Sequence, residues 1–135
     1  MPHGDIRCMK RVYFQYKGVL DELRAATHRA LRIGVKSDQL LWDPGLGFAK
    51  TTAQNLTLLK QLDTLVAEGI PLLLGPSRKR FIGAVLDEPR ARARLWGTAA
   101  VCARAVDAGV AVLRVHDVGP IHQVVTMASA IASDR

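Results

Sequence analysis

At 135 residues, 49% of them hydrophobic and 23% charged, the chain has enough apolar side chains for a packed core and is read as one domain over residues 1–135. No run nears the ~18 consecutive apolar residues of a membrane span, and the start MPHGDIRCMKR has no apolar signal core, so a cytoplasmic location is expected. The net charge of +7 raises nucleic acid as a partner, but the clusters Arg78, Lys79, Arg80 and Arg90, Arg92, Arg94 lack the interleaved aromatics that stack bases. Anionic or phosphorylated small molecules suit the charge better, with most of it solvated helix surface.

In chain order, Val19, Leu23, Ala26 and Ala30 form one stripe of a helix over about 17–33, closed by Gly34 in a left-handed conformation. A strand is predicted near 39–42. Thr51 and Gln54 have capping-box spacing, and the helix they open buries Leu56, Leu59, Leu62 and Val66 before Gly69. A second strand runs from Pro71 to Leu74, followed after Ser77 by a short helix. A longer helix over about 89–108 aligns Leu95, Ala99, Cys102 and Val106, and Gly109 opens a third strand, VAVLRVHDV. Gly119 and Pro120 start a last helix that uses Val124, Val125, Ala128 and Ile131. Strands separated by helices run parallel, so the fold class is α/β. Cys8 and Cys102 are too few and too far apart for a metal site or a disulfide framework, and Cys102 is read as packing.

Three apolar runs end in reactive residues. LLWDPGLGFAK closes on Asp43, Phe48 and Lys50, PLLLGPSRKRFIG on Ser77, Arg78 and Lys79, and VAVLRVHDV on Arg114, His116 and Asp117. Parallel sheets gather their chemistry at strand C-termini, so the three ends are expected to form one site. The period of two puts Val110, Val112, Arg114 and His116 on one face of the third strand. A cation on a buried strand needs an anionic ligand or an internal partner, here Asp43 or Asp117. Asp43, directly before Pro44-Gly45, can accept two parallel hydrogen bonds from an amidine-like ring edge or cap the turn that follows. Phe48 is either a flat ligand surface or a core aromatic. Gly75, Ser77, Arg78 and Lys79 offer hydroxyl, amide and ammonium donors that suit an anion or a ring carbonyl, although a serine followed by basic residues is also a common solvated helix start.

Two nucleotide motifs fail. GLGFAKTT has Ala49 where the P-loop requires glycine, and Lys50 replaces the third glycine of the dinucleotide fingerprint.

DPGLGFAK at 43–50 followed by Asn55, GPSRKRFIG at 75–83, GTAA at 97–100 and RVHDV at 114–118 together resemble the C-terminal half of dihydropteroate synthase. SRK with RVHDV distinguishes that family from the related pterin-dependent methyltransferases. The resemblance implies a partial (β/α)8 TIM barrel, with strands 6–8, their helices and the end of strand 5 near MPHGDIRCM. It also implies a transferase of folate biosynthesis that condenses 6-hydroxymethyl-7,8-dihydropterin diphosphate with p-aminobenzoate, giving 7,8-dihydropteroate and pyrophosphate. Under the resemblance Asp43 holds the pterin's amino-pyrimidine edge, Lys79 reaches the pterin carbonyl side and the p-aminobenzoate site, and Phe48, Ser77 and Gly75 belong to the substrate pocket. Arg114 covers the pterin and binds the diphosphate with His116, so Lys79, Arg114 and His116 are the expected catalytic residues. Mg2+ is implied through the substrate diphosphate, its protein ligand belonging to the family's first strands, so no metal ligand is assigned here. The short chain is expected to be inactive alone and to act as a homo-oligomer or with a complementing N-terminal half. A non-catalytic remnant that keeps a pterin or phosphate pocket, or a methyltransferase fragment, is the alternative.

Overall fold

The computed structural model describes residues 6–133, with side chains from residue 17 onward. Cys8 and the strand end expected near MPHGDIRCM therefore lie outside the described side chains, although the backbone is helical from Ile6. The chain divides into two compact units, Met1–Leu40 and Leu41–Arg135.

The first unit is built on α1, Ile6–Arg32, which extends well before the predicted start. Val19, Leu23 and Ala30 of the predicted stripe are half-buried, whereas Ala26 is exposed. The helix stops where glycine was expected to stop it: Gly34 has a φ of +99°, and the Gly34 and Val35 amides donate to Leu31 and Ala30 at 3.1 Å each. That is the left-handed termination only glycine adopts without strain. A 3-10 turn at Ser37–Gln39 follows, in place of the start of the first predicted strand.

The second unit carries the parallel sheet. Its elements are α2 (Thr52–Lys60), α3 (Leu62–Val66), β1 (Leu73–Leu74), α4 (Arg80–Leu86), α5 (Leu95–Ala108), β2 (Val112–Leu113) and α6 (Val118–Ala132). β1 pairs in parallel with β2, Leu73 opposite Val112 and Leu74 opposite Leu113. The predicted 39–42 strand is reduced to one parallel bridge, Trp42 to Leu72. The nine-residue third strand is likewise only two residues of ladder. The alternation is nonetheless real: Val112, Arg114 and His116 are exposed, while Leu113, Val115 and Asp117 are partly covered. A ladder extends only as far as its neighbour pairs with it, and among the described residues the sheet consists of β1 and β2.

The core lies between the helix-facing side of this sheet and the helices around it. Leu72 and Leu74 are fully buried with Leu62, Leu65, Cys102 and Ala105. The expected capping box forms, with the Gln54 amide on Thr51 Oγ1 at 3.1 Å and the Thr51 amide on Gln54 Oε1 at 2.9 Å. The single helix predicted beyond it is two, because the backbone opens at Gln61 to φ −104° and ψ 13°. The predicted 89–108 helix begins only at Leu95, after a 3-10 turn over Ala91–Arg94. Its buried stripe is Thr98, Cys102, Ala105 and Ala108, rotated from the Leu95, Ala99, Cys102, Val106 expectation. The rotation follows from Gly97. A Cβ there would overlap Ile82 and Leu86 of α4, so glycine brings the two helices to a close approach that turns Thr98 inward. On α6, Ile121 is buried but Ile131 is exposed, against expectation. No helix among the described residues is long and apolar enough to cross a membrane.

Candidate functional site

The three reactive strand ends meet within the second unit. A cavity of about 650 Å3 is lined by Phe48, Lys50, Asn55, Ser77, Arg78, Lys79 and His116 among others. A smaller one of about 300 Å3 is lined by Gly75, Ser77, Lys79, Arg114, Val115 and His116. Of the residues expected from sequence, all but Asp43 and Asp117 line one or both. Ser77, Lys79 and His116 stand at the junction and line both.

The first wall is the loop from Asp43 to Lys50, folded by contacts to itself. Asp43 Oδ1 accepts the Gly45 amide at 2.9 Å, so the turn-capping alternative is realised and one carboxylate oxygen is used by it. The Phe48 amide closes on the Gly45 carbonyl at 3.0 Å, and Lys50 Nζ donates to the carbonyls of Gly45 at 2.8 Å and Phe48 at 3.2 Å. Buried Asn55 anchors the loop to α2, its Oδ1 accepting the Gly47 amide at 2.7 Å and its Nδ2 donating to the Thr51 carbonyl at 3.0 Å. Phe48 is 62% exposed and therefore not the core aromatic that its sequence also allowed. Lys79 Nζ lies 4.1 Å from its ring centroid, a cation–π arrangement.

Lys79 crosses from the second wall to the first and donates to the Leu46 carbonyl at 2.9 Å. Gly47, at φ +84°, leaves the space that the lysine stem occupies, since a Cβ there would stand 2.5 Å from Lys79 Cδ. Burial lowers the Lys79 pKa, and Arg114 adds to the lowering; Asp43 opposes it and Lys50 reinforces it weakly.

The third wall is Arg114 and His116 at the end of β2. The Arg114 guanidinium lies against Gly75, with Nη2 3.3 Å from where a Cβ at that position would sit. Glycine serves here by lacking a side chain, letting the planar cation lie flat on the strand. Neither expected internal partner takes Arg114. Asp43 is engaged by Gly45, and Asp117 pairs with Arg78, Nη2 to Oδ1 at 3.0 Å and Nε to Oδ2 at 3.3 Å. His116 is tied to Ser77: its backbone amide donates to Ser77 Oγ at 3.1 Å, and its Nδ1 lies 2.7 Å from the same oxygen.

Some of the site's supports were not visible as such in the sequence. Arg94, read as solvated surface, is only 9% exposed, and its guanidinium donates to the carbonyls of Arg78, Glu88 and Pro89 at 2.9, 3.0 and 3.0 Å. Buried Thr98 accepts the Arg78 amide at 3.1 Å. GTAA gave Thr98 away only as part of a resemblance, and nothing in RARAR sets Arg94 apart from Arg92. Among the described residues no group of three or more His, Cys, Asp and Glu could hold a metal ion.

The arrangement is a cationic, partly apolar cavity: an aromatic face, a hydroxyl, an amine of lowered pKa, a flat guanidinium and an imidazole. It can hold an anion beside a planar ring. The sequence pattern of the pterin-binding enzymes matches residues 6–116. The chain is 47% identical to the dihydropteroate synthase of Synechocystis over 120 residues, covering 86% of this chain and 42% of that relative. It is 39% identical to the Bacillus subtilis dihydropteroate synthase, covering 84% of this chain and 39% of that one. Among solved structures, the Coxiella burnetii dihydropteroate synthase in complex with pteroic acid superposes with a TM-score of 0.88 at 33% identity, over 92% of this chain and 46% of that one. The Thermus thermophilus dihydropteroate synthase in complex with 6HMPPP gives 0.81 at 40% identity, over 87% and 46%. The chain thus spans less than half the length of each of these four proteins. With 111 of its 135 residues inside the family's pattern (6 through 116), this chain belongs to the pterin-binding enzyme family.

Proposed function

We propose that this chain carries part of the active site of a dihydropteroate synthase, the part that receives p-aminobenzoate and the diphosphate of 6-hydroxymethyl-7,8-dihydropterin diphosphate. The observation that carries the reading is the junction of the two cavities, where Ser77, Lys79 and His116 stand between Phe48 and Arg114. A planar aromatic acid fits the Phe48 side, its carboxylate within reach of the Ser77 hydroxyl. A diphosphate fits Arg114 and His116, and the pterin ring lies under the flat guanidinium with its amino edge toward the free oxygen of Asp43. In the reaction the aniline nitrogen forms a bond to the pterin methylene carbon as the bond from that carbon to the diphosphate oxygen breaks. The nitrogen then loses a proton and pyrophosphate leaves. Arg114, His116 and Lys79 stabilise the charge that develops on the leaving group, which matters more than activating the amine.

Mg2+ enters this reading only with the diphosphate. The cavity's own groups are mainly cationic, Asp43 is half-committed to Gly45, and Asp117 is paired with Arg78. These residues do not make a magnesium site, and no step is assigned to the ion.

The fold that goes with this reading is a partial (β/α)8 barrel formed as a single domain in the cytoplasm. Its support is the shared face of Gly75, Val112, Arg114 and His116, and the exposure of Leu41 (54%) and Val112 (39%), which a closed barrel would cover. A second copy of the chain, or a polypeptide supplying the rest of the relatives' length, is the expected cover.

The test is incorporation of labelled p-aminobenzoate with pterin diphosphate and Mg2+ by the 135-residue chain, alone and mixed with the N-terminal portion of the Synechocystis relative. Product from the mixture that disappears with Lys79→Ala, and none from the chain alone, is the expected result. No product from a mixture shown to associate would overturn the catalytic reading and leave a pocket without turnover.

A further inference from the structure

Arg78 lines the larger cavity with its guanidinium paired to Asp117, and its backbone is in an unusual state. Its φ is +59°, in the left-handed region that a branched or long side chain rarely occupies. Such a conformation persists only when its surroundings over-determine it. Here every polar group of the residue is gripped. Its amide goes to Thr98 Oγ1 at 3.1 Å, its carbonyl receives Arg94 Nη1 at 2.9 Å, and its guanidinium forms the two-point pair with Asp117.

Arg94 is the least expected member of this brace. An arginine that is 9% exposed would ordinarily face a carboxylate, yet the Arg94 guanidinium donates to three backbone carbonyls, those of Arg78, Glu88 and Pro89. The flat fork suits three acceptors in separate directions, which an ammonium would not span. Room for it is made in α4, where a Cβ at Gly83 would fall on Arg94 Nε. A glycine inside a helix is unfavourable unless something needs the space.

We infer that Arg94, with Thr98 and the Arg78–Asp117 pair, is a positioning residue that holds the left-handed turn at Arg78 and thereby aims Ser77 at His116 and Lys79 at Leu46. The flanking peptides take their directions from the turn. Released, Arg78 relaxes toward right-handed backbone, and Ser77 and Lys79 rotate relative to one another. This rests on the ligand reading above only for its consequence, since the geometry itself can be read without a ligand.

The experiment is heteronuclear NMR of the 135-residue chain, following the Lys79 Nζ titration and the His116 imidazole nitrogens in wild type, Arg94→Met and Thr98→Val. Circular dichroism and thermal melting identify the variants that keep the fold. In a folded Arg94→Met chain the Lys79 midpoint should rise toward the ordinary lysine value, as the amine leaves its buried place, and the His116 Nδ1 signal should lose its hydrogen-bonded shift. Thr98→Val, which conserves volume, should give a smaller change of the same sign, and it carries the test if Arg94→Met does not fold. Inorganic pyrophosphate should bind Arg94→Met roughly tenfold more weakly than wild type, the order expected when preorganised donors become mobile. Folded variants with unchanged Lys79 and His116 signals overturn the inference. If the signals move but wild type does not bind pyrophosphate, the positioning role stands and the diphosphate reading of the site fails.

Discussion

His116 meets Ser77 twice, its backbone amide 3.1 Å and its Nδ1 2.7 Å from the same hydroxyl oxygen. The serine at the end of one strand therefore sets both the main chain and the ring of the histidine at the end of the next. Since Ser77 Oγ accepts the backbone N–H, its own hydrogen is either given to Nδ1 or freed into the cavity when the ring tautomer carries its proton on Nδ1 and donates instead.

Ser77→Ala should therefore cost more than a contact to one substrate. The His116 amide loses its acceptor, and an unpaired group of this kind is worth about 1–3 kcal/mol. The expected outcome is weaker binding of both p-aminobenzoate and pyrophosphate, read by calorimetric titration. A loss confined to p-aminobenzoate would show that Ser77 does not orient His116.

Lys79 offers a titration whose sign is set by its neighbours. Arg114 helps to lower its pKa and Asp43 resists, so Arg114→Ala should raise the midpoint and Asp43→Asn should lower it further. Because the folded midpoint lies below the ordinary value of 10.5, the unfolded chain binds more protons between the two, and the contribution of Lys79 to stability rises with pH across that window. NMR titration of Nζ in the two variants is the check, and shifts of the opposite sense would place the lysine elsewhere.

How far such a site can be read from sequence depends on where its holding forces lie. Asp43, Ser77, Lys79, Arg114 and His116 were legible because each follows an apolar run, a local pattern that marks a strand end whatever the rest of the chain does. Local signals also gave the Gly34 stop and the Thr51–Gln54 box. What was missed depends on contacts distant along the chain. Arg94 reaches Arg78 sixteen residues back, and its burial is decided by the space at Gly83. The rotated stripe of α5 has the same origin, the approach of α4 at Gly97. The third strand was read too long because its own alternation is clear, whereas ladder length depends on the neighbour.

Gly83 gives that argument a direct consequence. Gly83→Ala adds one methyl where the Arg94 guanidinium is pinned by three carbonyls, and overpacking of this kind costs about 1–3 kcal/mol. Thermal or urea unfolding should show the loss, while Gly18→Ala in α1, where nothing lies within 4 Å, should be neutral or stabilising. Equal effects at the two positions would mean that Arg94 has freedom to move aside.

The central claim is that Arg114 faces an assembled anion site and not merely a basic surface. Calorimetric titration of pyrophosphate into wild type, Arg114→Ala and Arg92→Ala tests it most directly, because Arg92 is an exposed cation of the same charge on the turn before α5. Loss of charge-assisted hydrogen bonds at Arg114 should weaken binding by about 1.5–3 kcal/mol, with little change at Arg92. Equal losses from the two substitutions would mean that pyrophosphate sees only diffuse charge, and the account of the site would be wrong.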